Sequence, residues 1–359
     1  MADLFDYLKW RGDLLLSQAD FGPVDNLILA SLIYVPFENV LDTDSDEAVS
    51  IAEAARRYAG LDEDGRGPVR SEKDEELLMA AAGTPRFAEL KLTFYRNEID
   101  TAAEMQFCAA AVLLNEETAY VAYRGTDTSI VGWREDFNMS FMDSVPAQRA
   151  ALKYLVEFGR GFKGRIMTGG HSKGGNLAVY AAAMCPEELK QRITAVYNND
   201  GPGFSEAVTG SDGYKEMLPM IRTYLPESSI VGMLLEHDEP YNVVKSRQIG
   251  ILQHDPYSWE VMAGDFVRAE GLSRHSLRTD RTLKRWLSGL SLEERELITD
   301  TFFDILNAGE MNRTEDMIKP DKIFAALRSV KNIDEEKRKK LGQSMFELVQ
   351  SALEVRRQH

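Results

Sequence analysis

The sequence predicts an α/β fold, a mostly parallel sheet covered by helices, with helices at the N-terminus and a helical extension at the C-terminus. Short apolar runs alternate with helical patterns across the middle of the 359-residue chain, and no strand pattern follows residue 280. Such alternation is typical of a parallel sheet with both faces covered. Hydrophobic residues make up 44% of the chain, which is enough for a large buried core.

The elements are predicted in chain order as follows. Residues 1–40 are expected to be helical, and Gly22-Pro23 marks the start of a mostly apolar helix. The predicted strands are Ala109–Leu114, Thr118–Tyr123, Arg165–Thr168, Ile193–Tyr197, Ile230–Leu235 and Ile249–Leu252. The first two are separated by a hairpin-length link and should therefore be antiparallel. Helices are predicted near Pro146–Phe162 and Gly174–Met184.

The C-terminal part of the chain has a different pattern. Ser291-Leu292-Glu293-Glu294 is a capping-box sequence that predicts a helix ending at Gly309. A further helix is predicted from near Asp334 to the end. We therefore expect a core over residues 1–275, including the N-terminal helices, and a C-terminal helical segment over residues 276–359.

Composition excludes several classes of function. The chain carries 42 basic and 58 acidic residues, a net charge of −16, which argues against nucleic-acid partners and anionic membrane surfaces. Its two cysteines, Cys108 and Cys185, lie in apolar stretches and are expected to be buried thiols in a reducing compartment. No signal-peptide pattern and no membrane-spanning run is present, so a cytoplasmic location is expected. Zinc-ligand spacing, a P-loop and a dinucleotide fingerprint are also absent from the sequence.

The strongest chemical motif is Gly170-His171-Ser172-Lys173-Gly174, which matches the G-x-S-x-G pattern. A predicted strand precedes it and a predicted helix follows it, which is the context of a serine nucleophile on a tight strand-to-helix turn. The pattern therefore predicts that Ser172 is a nucleophile. An apolar strand end upstream leads into Gly125-Thr126, and the N–H groups of Thr126 and Lys173 are the predicted oxyanion hole.

The segment after this loop is predicted to be structural. Trp133 and Asp136 are expected to anchor it, and the apolar residues of Ile130–Val145 are expected to pack into the core, with a lid as the alternative.

These motifs, together with Gln253-His254-Asp255-Pro256-Tyr257-Ser258-Trp259, resemble those of a bacterial family of uncharacterised lipase-like α/β-hydrolase proteins that is related to the class 3 (fungal-type) lipases. The resemblance spans roughly residues 20–265. It implies an α/β-hydrolase fold and a triad in the order serine, acid, histidine. It implies no particular substrate, because the nearer family is itself uncharacterised.

The histidine and the acid of the triad are chosen by position. His254 follows the last predicted strand and is the expected base, with His275 as the second candidate; His171 should point away from the serine hydroxyl. Asp238 follows the predicted strand Ile230–Leu235 and is the expected acid, with Asp200 as the second candidate.

The predicted function is hydrolysis of small-molecule or lipid esters, thioesters included, through an acyl-enzyme and without a cofactor. The alternative is a catalytically silent lipase-like scaffold used for binding or regulation.

Overall fold

A mixed eight-stranded sheet forms the centre of the protein. The computed structural model describes residues 1–43, 47–311, 313, 316, 319–330 and 333–357. The strands of this sheet, side by side in chain order, are β1 (Val49–Ser50), β2 (Lys91–Asp100), β3 (Met105–Leu113), β4 (Thr118–Tyr123), β5 (Arg165–His171), β6 (Ile193–Asn199), β7 (Ile221–Pro226) and β8 (Tyr241–Val244). A separate hairpin consists of β9 (Val261–Met262) and β10 (Asp265–Phe266).

The helices before the end of the sheet are α1 (Leu4–Arg11), α2 (Pro23–Leu32), α3 (Ile51–Ala59), α4 (Glu63–Arg66), α5 (Glu72–Ala82), α6 (Ile130–Asn138), α7 (Pro146–Gly161), α8 (Lys173–Met184), α9 (Glu187–Lys190), α10 (Glu206–Thr209) and α11 (Asp212–Met217). The C-terminal helices are α12 (Arg274–Ser288), α13 (Leu292–Ala308), α14 (Pro320–Ser329) and α15 (Glu335–Arg357). Among the described residues, no helix combines the length and apolarity that crossing a bilayer requires.

The direction of the strands changes at β4. Strands β1 to β4 pair antiparallel, and β4 to β8 pair parallel. Parallel neighbours need a crossover, which α6 and α7 provide between β4 and β5 and α8 and α9 provide between β5 and β6. This topology confirms the predicted α/β-hydrolase-like sheet, its antiparallel hairpin at residues 115–117, and its helical N-terminus.

Both faces of the sheet are buried. On β3, Cys108 and Ala110 contribute to the core formed with α2, α3 and α5, whereas Ala109 and Ala111 contribute to the core formed with α7 and α8. Because side chains alternate between the faces of a strand, a continuous apolar run is what such a two-sided strand needs. Both cysteines are buried free thiols. Cys108 belongs to the core formed with α2, α3 and α5, and Cys185 belongs to the core formed with α7 and α8.

Two predicted strands are wrong. Residues 231–233 and 250–254 form short 3-10 turns, and the strands in this part of the chain are Ile221–Pro226 and Tyr241–Val244. Strand β2 was not predicted either. A short apolar run fits a buried strand and a packed loop equally well, so periodicity alone misplaced these elements. In β2 the pairing register shifts between Thr93 and Arg96, which interrupts the alternation that would have marked it.

The C-terminal helices pack against the core near the ends of the parallel strands. The predicted helix after Ser291 is confirmed as α13, and the last predicted helix is α15. The predicted boundary at residue 275 falls within the first turn of α12. Helix α13 packs on α6 through Phe302 and Phe303, whose rings lie 5.9 and 5.6 Å from the ring of Phe137.

Candidate active site

Ser172 stands at the turn between β5 and α8. Its φ of 58° and ψ of −135° place it in a region that residues with a side chain rarely occupy. Its side chain makes no capping hydrogen bond to α8, and the residue is half-buried. The backbone therefore holds the hydroxyl outside the helix, at its N-terminus, where the helix dipole favours a developing negative charge.

The glycines around Ser172 are required by close backbone contacts. A Cβ on Gly170 would lie 2.3 Å from the carbonyl carbon of Gly174, and a Cβ on Gly174 would lie 2.1 Å from the carbonyl oxygen of Tyr123. Real Cβ atoms do not approach other atoms so closely. The glycines of the motif thus allow β5, α8 and the end of β4 to meet at one point, and Ser172 is placed at that point.

The carboxylate that contacts His254 belongs to Asp200. Asp200 Oδ2 lies 2.7 Å from His254 Nδ1, and the carboxylate is fully buried. Its other oxygen, Oδ1, accepts hydrogen bonds from the Ser229 hydroxyl and, at 3.2 Å, from the Gly232 N–H. These bonds fix the plane of the carboxylate and direct Oδ2 to the imidazole.

Asp200 directly follows β6, and its φ of 52° turns the chain sharply there. The backbone of the same strand end reaches the nucleophile, because the Ser172 N–H donates to the Asn199 carbonyl at 2.9 Å. The acid and the serine are therefore held by neighbouring strands of the sheet.

This geometry corrects the choice of Asp238 as the acid beside His254. Asp238 is exposed, and its backbone N–H donates to the Tyr214 hydroxyl at 3.4 Å. The strand that was predicted before it is a loop, and Glu236 in that loop pairs with Phe204. Asp238 consequently does not stand at a strand end, which was the reason for choosing it, whereas the second candidate, Asp200, does.

The second histidine candidate, His275, and one further histidine, His237, have other surroundings. His275 is exposed in the first turn of α12. His237 Nδ1 lies 3.0 Å from Glu239, a buried carboxylate that also accepts from Tyr214 and Thr223. These hydrogen bonds, with that of His237 first among them, hold the pKa of Glu239 at about 2 against the effect of burial.

His254 lies next to the serine turn, with a quarter of its side chain exposed. Its ring centroid is 4.6 Å from that of His171, the residue before Ser172. Within residues 47–311, which the structure describes without a gap, no hydrogen bond joins the Ser172 hydroxyl to His254. Catalytic hydrogen bonds are often long in ligand-free enzymes and tighten when substrate binds.

The two predicted oxyanion-hole donors are unoccupied. Among the described residues, the N–H groups of Thr126 and Lys173 have no hydrogen-bond acceptor, and Gly125, the residue before Thr126, lies so near Ser172 that a Cβ on it would be 3.1 Å from the serine Cβ. The Thr126 hydroxyl donates to Asp136 Oδ2 at 2.6 Å, which fixes the threonine side chain. Burial raises the pKa of Asp136 to about 6, although Lys173 and the Thr126 hydroxyl both lower it.

The side chain of Lys173 forms a buried ion pair that sequence reasoning missed. Its ammonium lies 3.0 Å from Glu135 Oε2 and 2.9 Å from both oxygens of Gln106, and both charged side chains are fully buried. Glu135 also accepts from the Gln106 N–H and from the Ala147 N–H. One cluster thus joins β3, α6, α7 and the first residue of α8. The signal that marks it is a lysine inside a glycine-rich, apolar stretch with no nearby acid in sequence.

Helix α6, in the segment where a lid was the alternative, is held by the C-terminal helices. Arg134 pairs with Asp300 of α13 at 2.6 Å, and Ile130 is buried with Phe303. Trp133, which was also predicted to anchor the segment, is 38% exposed. Asp136 has the predicted structural contact, through Thr126.

A family model described as Mbeg1-like matches residues 81–304. No curated protein matches the chain. Among solved structures, the chain is similar to the Rhizomucor miehei lipase in its propeptide complex, at 16% identity over 61% of this chain and 66% of that one, with a TM-score of 0.38. That match spans just under two thirds of the length of the Rhizomucor lipase.

Two further solved structures are similar at the same level. M37 lipase matches at 16% identity over 60% of this chain and 71% of its own, with a TM-score of 0.39. A variant of MDLA from Penicillium cyclopium matches at 11% identity over 70% of this chain and 86% of its own, with a TM-score of 0.37.

Proposed function

We propose that this chain, which belongs to the Mbeg1-like family, is a serine hydrolase that cleaves carboxylic esters through an acyl-enzyme. The observation that carries the proposal is the 2.7 Å contact between His254 Nδ1 and the buried Asp200 carboxylate, beside a serine in a strained strand-to-helix turn. A serine, an imidazole and an acid in this arrangement are the parts of a catalytic triad.

In the proposed reaction, Ser172 Oγ attacks the carbonyl carbon of the ester while His254 Nε2 takes the hydroxyl proton. Asp200 accepts a hydrogen bond from Nδ1–H, which keeps Nε2 free to act as the base and stabilises the imidazolium. The oxyanion receives hydrogen bonds from the N–H groups of Thr126 and Lys173. His254 then gives the proton to the leaving alcohol, and a water molecule hydrolyses the acyl-enzyme by the same steps.

The fixed parts of the proposed site support this chemistry. The Asp200 carboxylate is oriented by Ser229 and Gly232 before any substrate arrives. The Lys173 backbone is held by a buried ion pair on its own side chain. Donors and acids that are already in position need no reorganisation as charge develops, which is the main source of electrostatic catalysis.

The experiment that tests the proposal is covalent labelling with a fluorophosphonate, together with turnover of an activated ester such as a p-nitrophenyl ester. Wild-type protein should be labelled at Ser172 and should turn over the ester, and Ser172→Ala should do neither while keeping its thermal unfolding transition. Ser288→Ala, an exposed serine on α12, is the matched control and should behave as wild type.

The second candidate function is a lipase-like scaffold that binds a partner without catalysis. The missing hydrogen bond between Ser172 and His254 favours it. Absence of labelling by several fluorophosphonates of different size, or full turnover by Ser172→Ala, would refute the hydrolase proposal, and the first of these outcomes would support the scaffold.

A further inference from the structure

His171, the buried last residue of β5, makes contact with His254 through a ring nitrogen. Its Nε2 lies 2.8 Å from the backbone carbonyl oxygen of His254. A carbonyl oxygen only accepts hydrogen bonds, so Nε2 must carry the proton. The other nitrogen, Nδ1, is then an acceptor, and the Tyr34 hydroxyl lies 3.2 Å from it. The surroundings thus select one tautomer of His171.

The surroundings also keep His171 neutral. Burial is the main cause that lowers the pKa of His171 well below its usual value, and the charges of His254 and Arg70 lower it further. Arg70 lies 3.8 Å from the centre of the Tyr34 ring and pairs with Asp74 at 2.7 Å. A neutral ring can lie against His254 when the latter becomes positively charged, whereas a charged ring would repel it.

The segment that carries His254 needs such a contact. Gly250 has a φ of +54° and open space around it, and Ile249, Ile251 and Leu252 are 79%, 59% and 59% exposed. The segment is attached at its end by Gln253, which bonds to the Ser228 N–H and to the Gln248 carbonyl. The next attachment along the chain is the His254 carbonyl on His171.

We propose that His171 is a positioning residue that holds His254 for the reaction, through the hydrogen bond to its carbonyl and through contact between the two rings. The inference rests on the proposed function. Asp200 holds His254 at Nδ1, and His171 holds its backbone carbonyl. The His171 ring also lies against the His254 ring, with an angle of 36° between the two ring planes. These contacts leave Nε2 as the nitrogen free to face Ser172.

Two variants separate the two contacts. His171→Phe keeps an aromatic ring and removes the N–H donor, whereas His171→Gln keeps an N–H donor and removes the ring. We expect kcat for the ester to fall up to about 100-fold in His171→Phe with KM unchanged, because a misplaced base slows the chemical step and not binding. Partial recovery is expected in His171→Gln. Wild-type kcat and an unchanged pH profile in His171→Phe would overturn the proposal.

A second measurement needs no activity. In protein labelled with ¹⁵N at histidine, the His171 resonances, assigned as those absent from His171→Phe, should show the Nε2–H tautomer and no titration between about pH 5 and 8. The His254 resonances should shift in the same variant. A titrating His171, an Nδ1–H tautomer, or unmoved His254 resonances would refute the positioning role. Failure of the proposed function would instead appear as unlabelled Ser172 in wild-type protein.

Discussion

Replacing Asp200 by asparagine tests the candidate acid, because the two side chains have the same shape. Oδ1 of Asp200 accepts from the Ser229 hydroxyl and the Gly232 N–H. In Asp200→Asn the amide oxygen must take that place, because an amide N–H₂ there would face two donors. The amide nitrogen then occupies the position 2.7 Å from His254 Nδ1.

This arrangement forces the wrong tautomer on the base. Nδ1 of His254 must accept from the asparagine, so the proton moves to Nε2, which then cannot take the proton of Ser172. A triad with this defect loses about 10⁴-fold in kcat, which corresponds to about 5 kcal/mol of transition-state stabilisation. The fold should persist, because every hydrogen bond of the carboxylate has a counterpart in the amide.

The assay is turnover of a p-nitrophenyl ester, with the rate of fluorophosphonate labelling as a second readout. Asp238→Asn is the matched control, because Asp238 is the exposed acid that sequence position favoured. It should keep wild-type kcat. The reasoning is refuted if Asp200→Asn keeps more than about a tenth of wild-type kcat, a loss of less than 1.4 kcal/mol, or if Asp238→Asn loses as much.

Three stability predictions follow from the same region. The pKa of Asp136 is raised to about 6 by burial, so the unfolded chain releases this proton first as the pH rises from about 4 to 6. The free energy of unfolding of wild-type protein, measured in urea, should therefore fall by up to about 3 kcal/mol relative to that of Asp136→Asn over that range and no further above it. A difference between the two proteins that does not change with pH would contradict this. Glu135→Gln removes the carboxylate paired with the buried Lys173 ammonium and should lower the free energy of unfolding, measured in urea, by about 3–5 kcal/mol. The control is Glu157→Gln, in the exposed pair of Glu157 with Lys153; it should lower the free energy of unfolding by about 1 kcal/mol or less, and equal losses in the two variants would count against the reasoning. Ser172→Gly relieves the positive φ and should raise the free energy of unfolding by about 1 kcal/mol while abolishing labelling; a less stable variant would show that no strain is stored there.

The serine turn was predictable because local sequence determines it. The Gly170–Gly174 contact joins a strand, a turn and a helix that are consecutive in the chain, although Gly174 also meets the end of β4 at Tyr123. The choice of His254 as candidate base rested on position, since few histidines follow the predicted strands. The structure brings His254 beside the turn, as expected from its position.

The acid was harder to choose because it depends on where β7 lies. Ile230–Leu235 has the apolar run of a buried strand, but the strand is Ile221–Pro226, and the carboxylate that contacts His254 comes from the end of β6. Asn198–Gly203 is an ordinary turn sequence, and nothing in it distinguishes a catalytic carboxylate from a turn residue.

The cluster around Lys173 was not predictable from spacing. Its members come from β3, α6, α7 and α8, and only the pairing of β3 with β4 and the packing of α6 bring Gln106 and Glu135 to the lysine. Such a site depends on the completed tertiary fold. The hint that the sequence contains is a lysine directly after the candidate nucleophile, within a glycine-rich and apolar stretch.

The C-terminal helices attach to both sides of the candidate site. Helix α13 pairs with α6, the helix after the Thr126 loop, through Arg134 and Asp300. At the start of α12, the Ser276 hydroxyl donates to the carbonyl of Ser229, whose own hydroxyl holds Asp200. A segment outside the sheet is therefore tied both to the helix that carries Glu135 and to the serine that orients Asp200, so exchanging it would alter the two supports of the candidate site together.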